Sequence, residues 1–218
     1  MIDIQQVIDG IRREKMIAIL RGLPEDQLLR TAEALYAGGI RFIECTFDHA
    51  REDCIEANCR MIARLAGHFG GRMHVGAGTV LTCEEVDATI AAGGEFIISP
   101  NADAEVIRYT REKGAVSIPG ALTPTEIVGA WKAGAHFVKV FPAGDLGVSY
   151  IKSVRAPLKH IPMLAVGGIT PEIIPEYLKA GVAGFGVSGP LLPKGALETG
   201  NDQAITERAR LFVSAAKG

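Results

Sequence analysis

Eight short apolar runs recur along this chain, each followed by a longer segment with charges on one face, and that alternation restricts the fold more than any other feature. The runs are Ile17 to Arg21, Phe42 to Phe47, His74 to Thr79, Phe96 to Pro100, Val116 to Gly120, Phe137 to Pro142, Met163 to Gly167 and Gly184 to Ser188. They read as strands, and strands apolar on both faces belong in a parallel sheet covered by helices. Intervening segments such as Glu25 to Ala37, Cys54 to Ala66, Glu84 to Ala92 and Glu172 to Ala180 read as those helices. Thr82 ahead of Glu84 and Glu85, Thr123-Pro124-Thr125-Glu126, and Thr170-Pro171-Glu172 supply caps, acids and prolines where helices start. Gly38-Gly39, Gly93-Gly94, Gly114, Gly134 and Gly181 follow helices and precede strands, where a left-handed cap favours a residue without Cβ.

Eight β-then-α units in 218 residues, with no linker and no shift in composition, predict one (β/α)8 barrel domain spanning residues 1–218. The opening MIDIQQVIDGIRREK reads as an extra N-terminal amphipathic helix. A dinucleotide-binding sheet is set aside because no GxGxxG follows the first strand. The 23 basic and 25 acidic residues nearly balance and form no basic block, so a small-molecule ligand is expected rather than nucleic acid or an anionic membrane. There is no long apolar run and no leader pattern, which predicts a soluble, cytoplasmic protein. Cys45, Cys54, Cys59 and Cys83 include no CxxC pair and read as reduced thiols.

Within the sixth strand, Lys139 is an amine in an otherwise apolar run. Alternation puts it on one face with Phe137 and Phe141, opposite Val138 and Val140. Desolvation lowers the pKa of such an amine and leaves it nucleophilic, which suits Schiff-base chemistry. In the second strand Glu44 points inward with Thr46. A carboxylate beside a buried amine is equipped for general acid and base work, although a purely structural Lys–Glu pair would show the same pattern. Three readings therefore stand: an aldolase using Lys139 covalently, an epimerase or isomerase using Glu44 as base, and a non-catalytic sugar-phosphate-binding barrel.

Functional groups of a barrel collect at the C-terminal ends of its strands. Arg21 ends the first strand, and Thr79 ends the third after Gly76-Ala77-Gly78. Pro100 ends the fourth, Gly167-Gly168 follow Val166 on the seventh, and Ser188-Gly189 close the eighth. Glycines after the last two strands expose backbone N–H groups and predict an anion site. Among the five histidines, His74 and His136 open strands at the wrong end, and His68 and His160 lie in connections. Asp48-His49 follows the second strand but reads as a turn or cap, so no metal is predicted.

Together Glu44, GAGTV at 76–80, ISPN at 98–101, SIPGALTPTE at 117–126, FVKVFPA at 137–143 and AVGGITPE at 165–172 resemble the KDPG/KHG aldolases, from Ile17 to the SGPLL run. The resemblance implies a class I aldolase without cofactor or metal, usually a homotrimer. Its members cleave 2-keto-3-deoxy-6-phospho sugar acids to pyruvate and glyceraldehyde 3-phosphate. It implies Lys139 as Schiff-base lysine, Glu44 as general acid/base, Thr79 and Pro100 at the pyruvate end, and Gly167, Gly168, Ser188 and Gly189 as phosphate loops. Phe141 joins the substrate-binding candidates. Gluconate-cleaving members carry Arg where this chain has Asp48 and Thr where it has Val166. Arg21 is expected to replace that arginine, since its fork suits a carboxylate. The AILRG and AVGG forms are similar to members acting on the galactonate epimer.

Overall fold

In the computed structural model, which describes residues 2–217, the apolar runs form nine strand segments. They are β1 (Met16–Leu20), β2 (Phe42–Thr46), β3 (His74–Gly78), β4 (Phe96–Ile98), β5 (Val116–Ile118), β6 (Gly120–Ala121), β7 (Val138–Val140), β8 (Met163–Val166) and β9 (Gly184–Val187). All pairings are parallel, in the order β5-β4-β3-β2-β1-β9-β8-β7-β6. Only Pro119 separates β5 from β6, so the two ends of this order are halves of one stave and the sheet closes on itself. The expected fifth strand is thus split. Proline has no N–H to continue the ladder, but its carbonyl still accepts the Lys139 N–H at 2.8 Å. The expected (β/α)8 barrel is the architecture found.

The helices are α1 (Ile4–Glu14), α2 (Leu28–Ala37), α3 (Cys54–Phe69), α4 (Cys83–Ala91), α5 (Ala104–Glu112), α6 (Pro124–Ala133), α7 (Ala143–Arg155), α8 (Ile174–Lys179), α9 (Ala196–Thr199) and α10 (Asp202–Lys217). Thr82 with Glu85 and Thr123 with Glu126 form reciprocal capping boxes at α4 and α6. Two expected starts move. Glu25–Gln27 is a 3₁₀ turn before α2, and regular helix begins at Ile174 rather than Glu172, with Pro175 in its first turn.

Strand alternation divides the core into two layers. Met16, Ala18, Ile43, Cys45, Val75, Ala77, Val138, Val140, Met163 and Ala165 pack outward against the helices. Ile17, Ile19, Phe42, Phe96, Ile98, Val116, Ile118, Phe137, Leu164 and Val166 fill the barrel interior. Val7 and Ile11 of α1 join that inner layer, so the amphipathic N-terminal helix seals the floor with its apolar face. Polar groups on the inner face lie above this plug, toward the C-terminal mouth.

Candidate functional site

Lys139 of β7 is 5% exposed and Glu44 of β2 is 1% exposed, and both project to the inside of the barrel. The β2 register sets Glu44 opposite Ile19 of β1 and Gly76 of β3, while Lys139 pairs with Gly120 and Leu164. Burial pushes the Glu44 carboxyl up to about 7, against the opposing pull of Lys139, Arg21 and the nearby Thr46 hydroxyl. Burial likewise holds the Lys139 amine below its ordinary range, with Glu44 opposing and Arg21 adding to the shift. Glu44 Oε2 and Thr46 Oγ1 are buried without completing a hydrogen bond. Burial thus biases both groups toward their neutral forms inside the barrel. This arrangement can attack a carbonyl and relay protons beside it.

Lys139 opens into a cleft of about 210 Å³ bounded by Arg21, Phe141, Val166, Gly167, Gly168 and Ser188, with Ile19, Ile169, Gly186 and Pro190 completing the wall. Its rim is glycine-rich for a packing reason. Gly144, at the start of α7, lies so close to Gly168 that a Cβ on it would stand 2.7 Å from the Gly168 Cα, and its N–H donates to the Gly167 carbonyl at 2.8 Å. Gly167 and Gly168 take φ values of +91° and +67°, which turn the chain sharply after β8. The Lys139 ammonium position is 5.0 Å from the centre of the Phe141 ring.

A second cleft, of about 320 Å³, adjoins the first through Arg21 and is lined also by Thr46, Asp48, His49 and Thr79. Thr79 is held at φ 58°, a left-handed conformation unusual for a β-branched residue. Asp48 forms the turn expected of it, accepting the Ala50 N–H at 3.2 Å. His74 pairs with Glu95 at 2.8 Å, and His136 Nδ1 accepts the Ser117 N–H; His74 opens β3 and His136 precedes β7, both away from the mouth. No group of three or more His, Cys, Asp or Glu suited to a metal occurs among the described residues.

The family model described as "KDPG and KHG aldolase" matches residues 7–208. The chain belongs to this family. It is 34% identical over 201 residues to 2-dehydro-3-deoxy-6-phosphogalactonate aldolase of Escherichia coli (strain K12), covering 92% of this chain and 93% of the relative. It is 37% identical over 182 residues to the probable 2-dehydro-3-deoxy-6-phosphogalactonate aldolase of Rhizobium meliloti (strain 1021), covering 83% and 82%. Its fold matches KDPG aldolase from Legionella pneumophila, solved with pyruvate captured as a covalent carbinolamine, with TM-score 0.82, 26% identity and coverage of 94% and 97%. The protein is a class I aldolase, and so a lyase.

In this aldolase, Lys139, Arg21, Phe141, Val166, Gly167, Gly168 and Ser188 share one cleft. Glu44 lies in the buried layer beneath the mouth, while Thr79 faces the adjoining cleft. Pro100 and Gly189 do not line either one. Pro100 instead sets its carbonyl against Gly120, an approach that a Cβ at that position would block. The sequence reading missed Ile19, Ile169 and Pro190 as lining residues. Strand alternation at Ile19, and the places of Ile169 and Pro190 beside the glycine loops, were the available signals.

Proposed function

We propose that this aldolase cleaves 2-keto-3-deoxy-6-phospho sugar acids to pyruvate and D-glyceraldehyde 3-phosphate through an imine on Lys139. The observation that carries this reading is the buried, charge-disfavoured Lys139 amine opening into the Arg21–Ser188 cleft, with the Glu44 carboxyl poised near neutrality. Lys139 Nζ adds to the C2 ketone, and Glu44 moves protons as the carbinolamine loses water. The iminium withdraws electrons as the C3–C4 bond breaks, with Glu44 taking the proton of the C4 hydroxyl. Proton return to C3 of the enamine and hydrolysis release pyruvate. No metal or other cofactor is required.

Gly167, Gly168, Ser188 and Gly189 are assigned to the phosphate, whose charge suits exposed backbone N–H groups. Thr79 and Arg21, which line the adjoining cleft, are assigned to the pyruvate end. The galactonate epimer is favoured because Val166 offers no hydrogen bond to the cleft and because both curated relatives named above carry that epimer in their names. The gluconate epimer, and 4-hydroxy-2-oxoglutarate giving pyruvate and glyoxylate, are further substrates on this reading. The family resemblance also supports a cytoplasmic homotrimer, which light scattering tests by mass.

Borohydride reduction with pyruvate should fix a mass adduct on Lys139. An adduct on another lysine, or activity abolished by EDTA, would overturn the mechanism.

A further inference from the structure

Glu85 is 3% exposed, and its two carboxylate oxygens are divided between different tasks. Oε2 accepts the N–H groups of Leu81 at 2.6 Å and Thr82 at 3.2 Å, which completes the capping box of α4. Oε1 lies 2.7 Å from His49 Nε2. A capping box needs only the first of these. The second fixes an imidazole that stands half-exposed in the cleft shared with Arg21 and Thr79.

The loop carrying His49 is held at its other end as well. Asp48 turns it through the Ala50 N–H, while Arg51 and Arg60 pair with Asp53 at 2.8 and 3.7 Å and Arg60 reaches Glu25. Arg21 lies between the two clefts. A ligand with its reacting carbon at Lys139 and its phosphate toward Ser188 leaves one end for Arg21, the guanidinium common to both clefts. In a 2-keto acid that end is the C1 carboxylate, one bond from the reacting carbon.

We infer that His49, oriented by Glu85, is the second arm of a carboxylate clamp with Arg21 and binds the C1 carboxylate of the 2-keto acid. This rests on the imine reading of Lys139. Neutral His49 donating Nε2–H to Glu85 has only an acceptor left at Nδ1, whereas the imidazolium donates from both nitrogens. The clamp therefore needs a donor on each side of the ring, one toward Glu85 and one toward the ligand carboxylate. Asp48 is the acid in the same wall, and one of its oxygens is engaged by the Ala50 N–H. This role is different from the metal ligation for which Asp48-His49 was weighed in the sequence.

The test compares pyruvate with pyruvamide, which presents the same ketone without the charge, as borohydride-trapped adducts on Lys139. His49→Ala should raise the half-saturating pyruvate concentration about tenfold, the scale of one charge-assisted hydrogen bond, and leave that of pyruvamide nearly unchanged. His49→Gln keeps a donor for Glu85 without the charge and should show the same selective loss, which guards against misfolding of the alanine variant. Equal losses for both ketones would mark His49 as merely structural, and an unchanged pyruvate response would remove it from the site; either result overturns the clamp. If the unaltered protein yields no Lys139 adduct with either ketone, the imine reading itself fails and the clamp falls with it.

Discussion

A Cβ placed on Gly78 would stand 2.6 Å from the Glu44 carboxyl carbon and overlap its Oε1, so the carboxyl occupies space that β3 leaves open only by having glycine there. Gly78 is absent from the positive-φ residues, so alanine suits its backbone and the conflict is confined to the side chain. Gly78→Ala should retain the fold and lower kcat about a hundredfold, the cost of displacing a proton-transfer group by roughly an ångström. Unchanged kcat would show that Glu44 does not act from this position.

Lys139→Met replaces a buried amine with an apolar chain of similar length. Turnover and borohydride trapping should both disappear, while the melting temperature holds or rises because an amine no longer has to be desolvated. Retained cleavage of the phosphorylated substrate would exclude the covalent route.

Glu44 gives stability a pH dependence of defined sign. Its carboxyl titrates near 7 in the fold against 4.5 as the ordinary value. The neutral form thus contributes stability that is complete below about 4.5 and lost as pH rises through about 7. Glu44→Gln has no such loss. The stability of the variant relative to the unaltered protein should climb across that window by on the order of 3 kcal/mol and then level off, as read by denaturant titration. A flat difference would contradict the buried neutral carboxyl.

Ser188→Asp sets a like charge where the phosphate is assigned. The kcat/KM for a phosphorylated sugar acid should fall about a hundredfold, a cost of a few kcal/mol typical of juxtaposed like charges. Unphosphorylated 4-hydroxy-2-oxoglutarate should lose far less. Equal losses would mean that the loops do not bind phosphate.

Val166 is 5% exposed and packs over Gly186 on the cleft wall, with its methyls 3.0 and 3.3 Å from where a Gly186 Cβ would be. Val166→Thr keeps the shape and adds a hydroxyl. The ratio of kcat/KM values should move toward the gluconate epimer by about tenfold, within the range of a single gained polar contact. A strong gluconate preference that this change leaves unaltered would separate Val166 from specificity.

The barrel and its inward pair were legible because strand alternation is local: once Phe42 and Phe137 are core, Glu44 and Lys139 must point inward with them. The glycine rims were legible for the same reason. His49 was visible only as a turn residue, because its partner Glu85 is 36 positions away and is itself recognisable only as a cap. Pro100 was placed at the pyruvate end by the family resemblance alone. Its approach to Gly120, however, depends on the break at Pro119 and on neighbouring staves meeting, which no single run records. The start of α8 slipped for a local reason: Pro171 and Pro175 are both acceptable in a first turn, and the chain uses the second.

The plug made by Val7 and Ile11 has a bearing on the order of events in a catalytic cycle. With the floor sealed, both cleavage products share the C-terminal doorway. On the imine mechanism the pyruvate fragment is still tethered to Lys139 when the C3–C4 bond opens, so the aldehyde departs first. Water for hydrolysis then arrives through the space the aldehyde has vacated. A second aldehyde taking that space before water would meet the waiting enamine, so one sealed end makes carbon–carbon bond formation the natural competitor of release.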